Sequence, residues 1–128
     1  MGETQAAINA RIDRFVALLA ARDPAIVDEL WSERGFRLVG SEKGEVFRTR
    51  DDLARKFVAL FALPRQLVFD WPRREIEVEG DIAWAFVEGD LVYRTPDADE
   101  RRTYNATFIF QRLGDAWRWR QFFGSEPA

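Results

Sequence analysis

The chain contains no cysteine and no histidine. The first absence excludes a disulfide framework, a thiolate nucleophile and a cysteine-ligated metal. The second removes the commonest general base near neutral pH, the usual zinc ligand, and every Ser-His or Cys-His pair. No apolar run is long enough to span a bilayer, which sets membrane insertion aside. The first residues, Met1-Gly2-Glu3-Thr4, lack the basic-then-apolar layout of a secretion signal, so a cytoplasmic protein is expected. Nor is there an excess of positive charge: 19 Lys and Arg against 22 Asp and Glu leave a net charge of −3. That balance argues against nucleic acid as the main partner.

Aromatic residues are plentiful. Eleven Phe and five Trp in 128 residues suggest either an interior filled by large rings or a pocket lined with them. A hydrophobic fraction of 47% excludes disorder, and the length fits one domain, residues 1–128, with a real core.

From Thr4 to Ala21, the residues Ile8, Ile12, Phe15, Val16 and Leu19 recur at the spacing of one helical face. Asp23-Pro24 reads as a cap followed by proline at the first helical position. It restarts a short helix whose apolar side is Ile26, Val27, Leu30 and Trp31, ended by Gly35. Phe36 to Gly40 and Glu45 to Arg48 form a strand pair around a Ser41-Glu42-Lys43-Gly44 loop. Thr49 and Asp52 cap the next helix, which carries Leu53, Phe57, Leu60 and Phe61 and stops at Pro64.

Everything after Pro64 is strand-like. Leu67, Phe69 and Trp71 alternate, as do Ile76 and Val78, with a bend or bulge at Pro72 between them. Ile82 to Tyr93 holds Trp84 and Phe86 on one face, and Gly89-Asp90 suggests a second irregularity. Thr95 to Glu100 reads as a polar loop. The chain closes with a hairpin of two aromatic strands, Tyr104 to Leu113 and Ala116 to Phe123, around Gly114-Asp115. Three helices grouped in the first half and long antiparallel strands in the second define an α+β domain. Long bent strands curl, so the expected shape is a cone-shaped curved antiparallel sheet covered by the three helices. Its interior is either packed solid with rings or hollowed into a pocket.

The order of elements resembles the nuclear-transport-factor-2-like, or SnoaL-like, superfamily. Three stretches sharpen the likeness: Val39-Gly40-Ser41-Glu42-Lys43-Gly44-Glu45, Gly80-Asp81-Ile82-Ala83-Trp84, and Trp117 through Gly124-Ser125-Glu126-Pro127. The resemblance implies a cystatin-like cone with a ligand pocket and, commonly, a homodimer through the outer sheet face. The superfamily includes ketosteroid isomerases, polyketide cyclases, dehydratases and non-enzymatic binding domains, so fold alone does not decide function. One departure stands out. The SnoaL-like pattern commonly carries a histidine two residues before the serine of the last strand; here that position is Phe123, with Gln121 beside it.

Alternation on the last strand puts Trp117, Trp119, Gln121, Phe123 and Ser125 on one face, and Arg118, Arg120, Phe122 and Gly124 on the other. The arginines mark the second face as the wetter one, which assigns the first to the interior. On the preceding strand the resemblance favours Asn105 and Thr107 as pocket residues, whereas periodicity favours the opposite face, Tyr104, Ala106, Phe108 and Phe110, as core. The expected pocket is therefore Trp31, Phe57, Phe61, Trp84, Asn105, Thr107, Trp119, Gln121 and Phe123, with no metal and no cofactor.

Among the acids, Asp70 serves as a base only if it points inward, where desolvation would raise its pKa. Glu42 and Glu45 flank a hairpin loop, and Ser41 and Ser125 lack a base to activate them. The arginines of the second half alternate in sequence with Glu75, Glu77, Glu79, Asp99 and Glu100, as cross-strand ion pairs require.

The leading expectation is a homodimeric binding domain for a small, largely apolar ligand, with Phe122 and the outer strand positions at the dimer contact. The alternatives are two. One is an isomerase, cyclase or dehydratase using a buried carboxylate with Tyr93 or Tyr104 as proton donor. The other is a purely structural dimerisation module.

Overall fold

The computed structural model describes residues 2–127. Its order is α1 (Gly2–Ala20), α2 (Ile26–Leu30), β1 (Arg37–Val39), β2 (Val46–Phe47), α3 (Arg50–Phe61), β3 (Gln66–Glu79), β4 (Ile82–Arg94), β5 (Asp99–Thr103), β6 (Asn105–Leu113) and β7 (Ala116–Ser125). The apolar positions that repeat at helical spacing along α1, Ile8, Ile12, Phe15 and Leu19, are all buried. The α3 cap forms as its sequence specifies: the Thr49 hydroxyl accepts from the Asp52 amide at 3.1 Å. At α2 the Asp23 carboxylate takes the Ala25 amide at 2.9 Å, and regular helix begins at Ile26.

The strands make one seven-stranded sheet in the order β2-β1-β7-β6-β4-β3, with β5 paired to β4 off that path. Every pairing is antiparallel except β1 with β7, which is parallel, so the sheet is mixed. Its two ends, β2 and β3, do not meet. The helices cover the concave face, where Phe15 of α1 meets Phe69 of β3 at 6.1 Å and Trp119 of β7 at 5.5 Å.

Thr95–Glu100, read as loop, is a turn at Thr95–Ala98 followed by the start of β5. All five β5 residues are exposed, so the strand exists through backbone pairing with Asp90–Arg94 and has no apolar alternation to announce it.

Two irregularities bend the sheet. In β3 the register shifts between Asp70 and Arg73, with Pro72 in the bulge. Opposite stands Gly89, where a Cβ would collide with the Asp70 carbonyl, so only glycine fits that approach. The second lies in β7. Ile109 pairs with Gln121 and Phe110 with Trp119, leaving Arg120 as the extra residue. One extra residue inverts the faces beyond it. Trp117 and Trp119 point inward, but so do Phe122 and Gly124, while Gln121, Phe123 and Ser125 point away from the helices. The single interior face expected for Trp117 through Ser125 is thus two half-faces. Phe122, expected on the outer surface, is 2% exposed, and Phe123 is 49% exposed.

Candidate functional site

The interior of the cone has two parts of different character. Toward one end the rings pack solid. Trp71 stacks on Phe69 at 4.1 Å, and Trp119 meets Phe110 at 4.5 Å and Phe108 at 4.9 Å. Each of these buried indoles has an acceptor: Trp71 Nε1 donates to the Tyr104 carbonyl at 3.0 Å, Trp119 Nε1 to the Glu29 carboxylate at 2.9 Å. Glu29 also receives Arg11 and Arg14, each at 3.1 Å, with its own side chain 2% exposed. Arg118 adds bonds to the carbonyls of Asp28 at 2.8 Å and Trp31 at 2.9 Å, which tie α2 to β7. Glu29 was not singled out in the sequence. The signal was present, since a residue three after Ile26 lies on the same helical face as Ile26.

Toward the other end the packing stops short and leaves a half-enclosed cavity of about 150 Å³. Phe15, Phe69 and Phe122 separate it from the solid part, and Leu19, Leu38, Phe57, Leu60, Leu67 and Leu91 complete its apolar wall. The polar wall is Ser41, Glu42 and Glu45 from the β1–β2 hairpin, Lys56, Arg65, Tyr93, Tyr104 and Glu126.

These polar groups are wired to one another. Ser41 donates to Glu126 at 2.9 Å and lies beside the Tyr104 hydroxyl. Lys56 reaches Glu45 at 3.5 Å, and Glu45 also accepts the Glu42 amide at 2.9 Å. The Arg65 guanidinium lies over the Tyr93 ring at 4.6 Å. Burial pushes the Tyr104 hydroxyl far above its ordinary value, outweighing the Ser41 hydrogen bond, so it stays protonated at neutral pH. Burial, then the charge of Glu126, raises Tyr93 as well. The two Gly-Ser-Glu copies meet here because β1 and β7 run parallel side by side. Their glycines make room: a Cβ at Gly124 would run into the Tyr104 hydroxyl, and one at Gly40 into the Glu45 side chain. Among the described residues, no group of three or more acidic side chains is arranged to hold a metal ion.

Of the residues named from the sequence, Phe57 stands in the cavity wall and Phe61 backs it at 5.7 Å. Trp119 belongs to the solid part, and Trp31 lies half-buried outside the cavity. Trp84, Asn105, Thr107, Gln121 and Phe123 are not in its wall; they share the outer face of the sheet. For Gln121 and Phe123 the Arg120 bulge is the cause. For Asn105 and Thr107 it is plain alternation with the buried Ala106 and Phe108. Asp70 also faces outward, against Arg101 at 3.3 Å, and is no base for this cavity. Tyr93 and Tyr104, the donors expected of an enzyme, both line it.

The SnoaL-like domain family matches residues 8–128. This chain belongs to it. No curated protein matches the sequence. Solved structures that the SnoaL-like chain is similar to include a candidate dehydratase of the nuclear-transport-factor-2-like family from Streptomyces avermitilis. It is 16% identical with a TM-score of 0.87, and the match covers 100% of this chain and 99% of that one. A nuclear-transport-factor-2-like protein with a cystatin-like fold from Novosphingobium aromaticivorans is 20% identical with a TM-score of 0.80, covering 97% and 82%. A candidate scytalone dehydratase from the same organism is 11% identical with a TM-score of 0.84, covering 98% and 85%. At these identities the likeness establishes the fold of the SnoaL-like chain, and its chemistry has to be argued from its own residues.

Proposed function

We propose that this SnoaL-like domain binds one small, largely apolar molecule at the open end of its cone and does so as a homodimer. The observation that carries the reading is the 150 Å³ space bounded by Phe15, Phe57, Phe69 and Phe122 on the apolar side and by hydroxyl and charged groups at the rim. A dry cavity of about that volume accommodates a benzene ring. Wild-type protein titrated with benzyl alcohol should show saturable shifts of the Phe57 and Tyr104 ring signals by NMR. Shifts that scatter over the surface, or none, would refute a ligand cavity here.

The homodimer is supported by the outer face of the sheet. There Ile82, Phe86 and Phe123 are 39%, 38% and 49% exposed, beside the half-buried Trp84 and Ile109. Glu75, Glu77 and Glu79 pair across to Phe86, Trp84 and Ile82 along the β3 border of this apolar band. Arg34, Arg37, Arg48 and Arg120 gather at the β1 side. A two-fold axis in the interface, parallel to the strands, lays the basic border of one copy on the acidic border of the other. Only monomer in sedimentation at micromolar concentration would contradict this part.

An enzymatic second reading is favoured by one specific feature, the grouping of the Tyr104 hydroxyl with the hydrogen-bonded Ser41 and Glu126 in the same wall. A tyrosine kept neutral by burial can donate to a developing oxyanion, and a carboxylate can take a proton, as an isomerase, cyclase or dehydratase needs. Two of the structures the chain resembles are named as candidate dehydratases. Solvent deuterium entering a panel of cyclic ketones faster with the wild type than with Tyr104→Phe is the expected mark of that chemistry. Equal rates would leave the binding reading alone.

A further inference from the structure

Nearly every polar group in the cavity wall is already engaged by the protein itself. Ser41, Tyr104 and Glu126 hold one another, Lys56 and Glu45 are paired, and Glu42 lies in solvent. Two groups remain, Arg65 and the Tyr93 hydroxyl. Arg65 lines the cavity with its guanidinium over the Tyr93 ring. Its Nε is buried and, among the described residues, has no acceptor, and no carboxylate stands within ion-pair distance of it. An arginine so placed is a fixed fork of donors with no acceptor facing it.

We propose that the molecule bound here is a small ring-bearing monocarboxylate, its ring among Phe15, Phe57, Phe69 and Phe122 and its carboxylate on Arg65 and Tyr93. This rests on the ligand-binding reading above. The free groups are both donors, so the ligand must supply acceptors, and the guanidinium matches a planar carboxylate in two parallel hydrogen bonds. Charge sets the number of negative charges. Among the described lining groups Lys56 is paired with Glu45, which leaves Arg65 as the one unpaired cation for one anionic group, while Glu42 and Glu126 repel a second. A phosphate ester is disfavoured on that ground. Size sets the rest: a 150 Å³ cavity matches one six-membered ring.

Benzoate, benzyl alcohol and phenyl phosphate are the probes, titrated calorimetrically into the wild type, Arg65→Gln and Arg65→Lys. The wild type should bind benzoate about tenfold or more tighter than benzyl alcohol, the step expected of one charge-assisted pair. Arg65→Gln should abolish that preference while still binding benzyl alcohol, which also certifies that the variant is folded, and Arg65→Lys should restore part of it. Three results would overturn the inference while leaving the cavity reading intact: benzoate no tighter than benzyl alcohol, the preference surviving in Arg65→Gln, or phenyl phosphate binding tightest. Failure of all three probes with the wild type would remove both.

Discussion

The two ends of the cone are built from the same kinds of residue and finish differently. At the closed end Trp119, Phe108 and Phe110 are 0% exposed, and the one carboxylate among them, Glu29, is met by an indole N–H and two arginines. At the open end Phe57 and Phe69 are also buried, at 3% and 9% exposed, yet their neighbours include leucines and the long polar side chains of a rim. A gap among rings is filled by another ring; a gap among leucines and a rim of lysine, arginine and glutamate stays open. Buried packing is therefore concentrated at the closed end and open space at the other.

The sharpest way to break that division is Trp119→Ala. It deletes the largest buried side chain and strips Glu29 of a donor, so it should lower unfolding free energy by about 4 kcal/mol in a urea titration. A loss below about 1 kcal/mol would mean that the closed end is not the stabilising core. Glu29→Ala comes next, at about 3 kcal/mol, because it leaves the buried Trp119 Nε1 without its acceptor and the part-buried Arg11 without its carboxylate. An unchanged midpoint would show water satisfying both.

At the open end Tyr104→Phe removes one hydroxyl hydrogen bond and should cost about 1 kcal/mol near neutral pH. Its pH dependence is more telling. The folded Tyr104 holds its proton to higher pH than the unfolded chain, where tyrosine titrates near 10. The folded state then binds more protons above that pH, so this contribution is complete below pH ~10 and is lost as pH rises toward the folded value. Wild-type stability should fall more steeply than that of Tyr104→Phe between pH ~10 and ~12. Parallel curves would place the hydroxyl in water.

The smallest expected effect on monomer stability, within about 0.5 kcal/mol, belongs to Phe123→Arg, since that side chain is half exposed. Sedimentation should nevertheless shift to monomer if the outer face joins two copies. A large drop in stability would return Phe123 to the core.

Much of the fold was legible in the order of residues. Helical spacing placed α1 and α3, Thr49 placed a cap, Pro72 placed a bend, and alternation along Tyr104–Phe110 named the buried side of β6. Less of the site was legible. Tyr93 and Tyr104 were noted as donors and do line the cavity, but the outer face claimed Asn105, Thr107, Gln121 and Phe123. The resemblance drew attention to Asn105 and Thr107 against the periodicity, and the periodicity had the buried face of β6 right. Arg65 drew no notice, because nothing near it in the chain distinguishes an arginine stacked on Tyr93 from one in solvent.

What the sequence determined by itself is the set of elements and their apolar faces, since helix and strand periods are local and repeat every few residues. What only the tertiary structure decided is where those faces end. The extra residue at Arg120 has no local signature; it arises from the pairing of β7 with β6, and it alone sends Phe122 inward and Phe123 outward. The cavity is decided the same way. It is the space left where α3, the β1–β2 hairpin and the ends of β3 and β4 fail to meet, a property of how separate elements fit and of no one of them.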